Sequence, residues 1–451
     1  MDPVIFRKYD IRAVVDKELD DTGVINLGQA MGTYFQTRGV PRITLGRDGR
    51  LSSDRYAALF TEGLISTGLS VADLGLVTTP MLYFSVYALK HPGGVMIPAS
   101  HNPAQYNGFK ICVGPHAMTE AEIQAIRALA QRGDFYKGNG TIEQLDVAPA
   151  YLGYLFNHID IQRPVAIGVD TGNGSVGPIA QAVYEGLGLK ARHIYAEVDG
   201  RFPNHQPDPT VPKNMVELGA LVKQNGLEVG LGFDGDGDRV GVVDEAGRLI
   251  YGDRLLLIFA REILARRPGV AIVGDVKCSD NLFREIEKRG GRATMWKTGH
   301  ALIKHKMEEE KAALGGEMSG HIIFADRYFG FDDGIYAALR LVEVLARDSR
   351  PLSEYLADVP EGYITPEIQI SCPDELKSAV VAGVRESLRR DYQINDIDGV
   401  RVGFEHGWGL LRASQTMPQV VMRFEADTEE ELNRIRSIFE SQVTQVIQAV
   451  A

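Results

Sequence analysis

A short β-branched run, a loop of Gly, Asp and Ser, and then an amphipathic stretch follow one another in that order three times along the chain. Arg42-Ile43-Thr44-Leu45 leads through Gly46 to Ser53 into helix-like Asp54 to Phe60. Val165-Ala166-Ile167-Gly168-Val169 leads into Asp170 to Ser175, and Val270-Ala271-Ile272-Val273 into Gly274 to Ser279. Each is the layout of a strand, a loop and a helix packed back on a sheet. The repeats lie about a hundred residues apart, too long a period for a solenoid and suited to separate domains. Three related mixed-sheet α/β domains are therefore expected.

The last section reads differently. Val400, Val402 and Phe404 alternate with polar or glycine positions, and Gln419 to Phe424 form another strand. Thr428 to Glu431 make a capping box opening a helix with the apolar face Leu432, Ile435, Phe439, Val443 and Val446. A smaller C-terminal α+β domain follows. The polar stretch ending at Ala148-Pro149, the segment Arg248 to Asp253 and the break at Val359-Pro360-Glu361-Gly362 divide the chain into 1–146, 147–249, 250–360 and 361–451.

Charge and cysteine content exclude whole classes of function. A net charge of −12 argues against nucleic acid, whose binding rests on clustered basic charge, so any anionic ligand must be held by local cations. Cys112, Cys278 and Cys372 are odd in number and far apart, fitting neither a disulfide framework nor a zinc pattern, as expected of cytoplasmic thiols. No apolar run is long enough for a bilayer, and Met1-Asp2-Pro3-Val4 does not begin a signal peptide, so no membrane partner is expected.

Two segments carry chemistry. In Pro98-Ala99-Ser100-His101-Asn102-Pro103 the paired prolines fix the backbone and present the serine hydroxyl at a set place. In Asp234-Gly235-Asp236-Gly237-Asp238-Arg239, glycines let three carboxylates converge as hard oxygen ligands for a divalent cation. With Glu245 at the twelfth position this second segment mimics an EF-hand loop. Arg239 stands where that loop needs glycine, however, and the flanks Val229 to Phe233 and Val240 to Val243 read as strands. A held hydroxyl beside a metal bed and a cation suits phosphoryl transfer.

These segments, with Phe6-Arg7-Lys8-Tyr9-Asp10-Ile11-Arg12, Gly316-Glu317-Met318-Ser319-Gly320-His321 and Arg412-Ala413-Ser414-Gln415-Thr416, resemble the α-D-phosphohexomutases, and the Glu317 to His321 motif is similar to that of the bacterial phosphomannomutase/phosphoglucomutase branch. The resemblance spans nearly the whole chain and keeps the five motifs in family order. It implies four domains around one central cleft. It also implies reversible transfer of phosphate between O1 and O6 of mannose and glucose phosphates, by way of a phosphoserine and a hexose 1,6-bisphosphate. Mg2+ is the implied cofactor, and glucose 1,6-bisphosphate or another hexose bisphosphate the implied activator. A monomer is expected, with a dimer as the alternative.

Carried onto this chain, the resemblance makes Ser100 the phosphoserine, with Asp234, Asp236 and Asp238 sharing a magnesium ion with it and Arg239 steadying it. Lys110, with Arg12 and His321 nearby, is the favoured acid/base, its pKa expected to fall among neighbouring cations. His101, next in sequence to Ser100, is expected to point its ring away from the hydroxyl. Glu317 and Ser319 would read O3 and O4 of the sugar, leaving O2 unread, with Tyr9, Lys277 and His300 as further contacts. Arg412, Ser414, Gln415 and Thr416 would clamp the distal phosphate. Gln415 replaces the family's usual asparagine and Ala13 a common glycine. A metal-dependent sugar-phosphate phosphohydrolase, or a phosphoglucosamine mutase of the same family, remain the alternatives.

Overall fold

The computed structural model describes residues 1–414 and 418–450. Three of its four sheets repeat one topology. In each, a central strand (Arg42–Arg47, Ala166–Asp170 or Ala271–Asp275) pairs in parallel with the next strand in sequence (Ser70–Leu76, Lys190–Ile194 or Arg292–Trp296). On its other side it pairs in parallel with a third (Gly93–Ile97, Val229–Phe233 or Leu314–Gly316). A fourth strand (Tyr106–Val113, Val240–Val243 or Ile322–Phe324) then adds antiparallel to the third. The central strands are almost continuously buried, as expected where helices pack over a parallel sheet; Asp280–Lys288 and His300–Glu310 both contact Ala271–Asp275. Strands, not helices, flank the aspartate loop, so the EF-hand reading fails; Glu245 instead accepts a hydrogen bond from the Ser353 N–H.

This shared topology decides where the chemistry sits. The third-to-fourth connection leaves the carboxyl end of a parallel strand, the usual place for a ligand in an α/β sheet. That connection carries Ser100 in the first domain, Asp234, Asp236 and Asp238 in the second, and Glu317 to His321 in the third. The strand Ile11–Val14 joins the first sheet antiparallel to Tyr106–Val113, bringing Arg12 opposite Gly108 and seating Ala13 in regular register.

The fourth sheet is antiparallel throughout, with helices Asp374–Leu388 and Glu429–Val450 packed on it. The Glu431 N–H donates to Thr428 Oγ1 at 3.2 Å, and Ile435, Phe439 and Val443 are buried. The predicted apolar face thus forms, and Thr428 caps the helix, but the Glu431 carboxylate pairs with Arg434 instead of completing the predicted box.

The cores are not equivalent. One apolar cluster runs from helix Thr79–Tyr87 of the first domain through the second sheet to helices Gly252–Arg266 and Gly334–Leu345 of the third. Thr79–Tyr87 is buried along its whole length, packed between the first sheet and helix Ala148–His158 of the second domain, which suits its largely apolar surface. The fourth sheet has its own core and meets the third through a small seam of Val276, Trp408 and Leu410.

Candidate active site

A cavity of about 530 Å³ opens where the four sheets converge. It is lined by Tyr9, Arg12, Ser100 and Lys110 from the first, Arg239 from the second, Lys277, His300, Glu317, Ser319 and His321 from the third, and Arg412 and Ser414 from the fourth. Gln415 and Thr416 lie outside the described residues.

Ser100 adopts a left-handed backbone conformation, φ 50°, and its Oγ donates to Asp234 Oδ2 at 2.6 Å. The same oxygen lies 3.0 Å from His101 Nδ1. The expectation that His101 points away is therefore corrected: it assumed extended alternation, which the left-handed residue breaks. The serine and aspartate loops touch through backbone. A side chain at Gly235 would put its Cβ 2.6 Å from the Ser100 carbonyl oxygen, so glycine is required there.

Burial, with the charges of Asp238 and Asp236, pushes the Asp234 carboxyl well above its ordinary range. Asp238 goes the other way: burial opposes its charge, but Lys110 and His321 outweigh it and hold it down. The buried Oδ1 atoms of Asp236 and Asp238 have no hydrogen-bond partner among the described residues. The ligand oxygens of the three aspartates lie within 4.8 Å of one another. A dry, convergent, underpartnered set of carboxylates fits a hard divalent cation.

Lys110 requires a second correction. Its Nζ donates to Asp236 Oδ2 at 2.7 Å and also to Asp238 Oδ2. Burial penalises the ammonium, but these carboxylates outweigh that cost and raise its pKa rather than lowering it. Beside these carboxylates it is held in its charged form.

On the facing wall, Glu317 accepts from the Gly299 N–H at 2.7 Å and from Ser319 Oγ at 2.9 Å. Burial would raise its pKa, but His321, Lys277 and Arg239 keep it ionised. Arg239 Nε lies 2.9 Å from His321 Nε2, and His321 Nδ1 lies 3.0 Å from Asp332 Oδ2. Asp332, unseen in the sequence reading, also accepts from Lys304 Nζ at 2.8 Å and lies 3.3 Å from His300 Nδ1. The two imidazoles stack at 5.2 Å, and Tyr9 meets His300 edge-on.

Three more cations complete the rim. Arg12 donates from Nε to Asp10 at 2.8 Å and from Nη1 to Asn102 Oδ1 at 2.6 Å. Lys277 Nζ donates to Glu367 Oε1 at 2.6 Å, and Arg412 Nε to Asp398 Oδ2 at 2.9 Å; neither acidic partner was singled out from sequence. Arg412 Nη2 is buried without a partner among the described residues, a spare donor suited to an anion.

Domain families described as phosphoglucomutase/phosphomannomutase alpha/beta/alpha domains I, II and III match residues 3–137, 149–247 and 251–363. The C-terminal domain of the same description matches 367–441. A phosphomannomutase/phosphoglucomutase of Pseudomonas aeruginosa strain PAO1 is 46% identical over 447 residues, covering 98% of this chain and 96% of that one. A phosphoglucomutase of Neisseria gonorrhoeae is 42% identical over 442 residues, 97% and 96% of the two chains. The crystal structure of a phosphoglucomutase/phosphomannomutase family protein from Burkholderia thailandensis has a TM-score of 0.92 at 39% identity, covering 98% of this chain and 97% of that one.

Proposed function

The chain belongs to the phosphoglucomutase/phosphomannomutase family of isomerases, and from that premise we propose that it moves a phosphoryl group reversibly between O1 and O6 of glucose and mannose phosphates. Ser100 carries the group, and a hexose 1,6-bisphosphate is the intermediate. The observation that carries this reading is Ser100 Oγ, 2.6 Å from one of three converging aspartates, at the wall of a cavity with cations from all four domains. The domain limits proposed with it are 1–146, 147–249, 250–360 and 361–451.

Asp234, Asp236 and Asp238 would hold Mg2+, which supplies charge neutralisation to the phosphoryl group when bound. Arg12, Lys110, Arg239, Lys277 and Arg412 offset the substrate's charge, and their positions around one cavity support that role. In the forward transfer the bond from phosphorus to the serine oxygen breaks and a bond to the sugar hydroxyl oxygen forms. The sugar hydroxyl gives up a proton and the released serine oxygen takes one up; His321 Nε2, already engaged by Arg239 Nε, stands beside this exchange rather than accepting the proton. Lys110, held charged beside Asp236 and Asp238, is the acid/base of the pair: it gives its proton to the leaving serine oxygen and regains one from the sugar hydroxyl. Glu317 and Ser319 hold the sugar, and Arg412 holds the phosphate that is not reacting.

Incubation with glucose 1-phosphate, Mg2+ and a trace of glucose 1,6-bisphosphate, followed by phosphorus NMR, tests the proposal. Glucose 6-phosphate is the expected product. Stoichiometric free phosphate instead would make the protein a phosphohydrolase.

A further inference from the structure

Arg50 does not line the cavity, yet it holds more of the serine loop than any residue that does. Its side chain is wholly buried. Nη2 donates to the carbonyls of Ser100 at 2.8 Å and Asn102 at 2.6 Å, and Nη1 to those of Pro103 at 2.7 Å and Tyr106 at 3.1 Å. Nε donates to Asp48 Oδ2 at 3.2 Å. All five N–H donors of the guanidinium are used, four of them on one loop.

Asp48 grips the same loop from the other side, accepting the Ala99 N–H on Oδ2 at 3.1 Å while Oδ1 takes Ser53 Oγ at 2.6 Å. The Phe202 ring, from the second domain, covers the guanidinium at 5.1 Å. A left-handed Ser100 is an unfavourable conformation for a residue with a Cβ, and it turns the Ser100 carbonyl inward, where it needs a donor. Arg50 supplies that donor. Relaxation of Ser100 to an ordinary φ would swing Oγ off Asp234.

We infer that Arg50 is a positioning residue for the phosphoryl transfer: it fixes residues 100–106 so that Ser100 Oγ faces Asp234, and touches neither sugar nor phosphate itself. The inference rests on the phosphoserine reading above. A lysine here keeps the charge but, as a point donor, cannot span four carbonyls.

Arg50→Lys and Asp48→Asn test it. The parent and both variants are incubated with glucose 1,6-bisphosphate, phosphate on Ser100 is counted by mass spectrometry, and kcat and KM for glucose 1-phosphate are measured. Amide exchange over residues 99–107 is followed alongside. For R50K we expect kcat to fall about 100-fold, the cost of a misplacement near 1 Å, with KM within about threefold and exchange faster in that loop alone. D48N, which leaves Arg50 in place, should lose about tenfold in kcat. Phosphate on the parent's Ser100 together with R50K turnover within threefold of the parent overturns this inference and spares the phosphoserine reading. A parent that takes no phosphate on Ser100 overturns both.

Discussion

The serine–aspartate side of the cleft and the Arg412 side are built to different tolerances. On the first, loops of two domains meet at backbone distance: Gly235 packs on the Ser100 carbonyl, and the Thr79 N–H donates to the Asp236 carbonyl at 2.8 Å. The apolar cluster beneath is continuous through the second and third domains. On the other side, the fourth domain has a core of its own and a small apolar seam. The rest of that junction is polar: Arg401 donates to the Val276 and Cys278 carbonyls and pairs with Asp280 at 2.7 Å, and Ser279 Oγ donates to Glu425 at 2.6 Å. Transfer chemistry demands sub-ångström placement, whereas a clamp on a bisphosphate that must turn end for end has to let go and re-form. Fused packing serves the first need and a polar, separable joint the second. Changes on the serine side should therefore act on turnover, and changes on the clamp side on binding.

Ser100→Ala is the largest test of that division. It removes the group transferred and leaves the clamp untouched, so kcat should fall by at least about 10⁴-fold with KM for glucose 1-phosphate within a few-fold. Intact-mass measurement should find a phosphate on the parent that the variant lacks. Near-normal turnover in the alanine variant would remove Ser100 from the chemistry altogether.

The fused side should also respond to pH through Asp333, where Tyr151 of the second domain and Tyr328 of the third donate hydroxyls at 2.9 and 2.6 Å to one carboxylate oxygen. Burial is the dominant influence and pushes the Asp333 carboxyl up to about 6, against the opposing hydrogen bonds. A raised folded-state value means that the folded protein holds a proton the unfolded chain releases. The resulting stability is complete below the unfolded value near 4 and disappears as pH rises through about 6. Relative to Asp333→Asn, the parent should gain about 2 kcal/mol between pH 7 and pH 4 in urea unfolding. Parallel profiles for the two proteins would show that Asp333 does not couple this junction to pH.

What could be read from the residues follows the same division between local and distant. The repeating units and the chemistry-bearing loops were legible because each is a short run whose composition states its own geometry: β-branched strand, then glycine, proline or aspartate. The groups that hold those loops were not. Arg50 reaches the Ser100 carbonyl across 50 positions, and Glu367 meets Lys277 across 90. Asp332 belongs to a different segment from either histidine beside it. The lowered pKa expected of Lys110 failed for the same reason, since the carboxylates that hold its charge arrive from another domain, 126 positions away in the case of Asp236. His101 failed through a single dihedral angle that no residue type announces.

On the clamp side, Arg412→Ala should raise KM for both glucose 1-phosphate and mannose 1-phosphate by a similar factor, about 30-fold, since a charged hydrogen-bonded pair is lost from ground state and intermediate alike. More bisphosphate should escape to solution, visible by phosphorus NMR. Lost turnover with unchanged KM and no escaped bisphosphate would place Arg412 with the chemistry and erase the contrast.

The smallest effect belongs to the joint itself. Glu367, in the fourth domain, accepts from Lys277 Nζ of the third at 2.6 Å, and both line the cavity. Burial lowers the lysine's pKa, but Glu367 and Asp275 more than offset this and hold it charged. The carboxylate therefore helps fix the cation, and it also competes for it with an incoming phosphate and repels that phosphate directly. Glu367→Gln keeps the side chain's shape and one acceptor oxygen while removing the repulsion. Charge near a partly screened cleft is worth on the order of 1 kcal/mol at most, so KM for glucose 1-phosphate should fall by about threefold with kcat little changed. The fall should shrink as salt is raised. A higher KM in E367Q would mean that Glu367 acts chiefly by aiming Lys277, and the joint would then belong with the rigid, positioning half of the molecule.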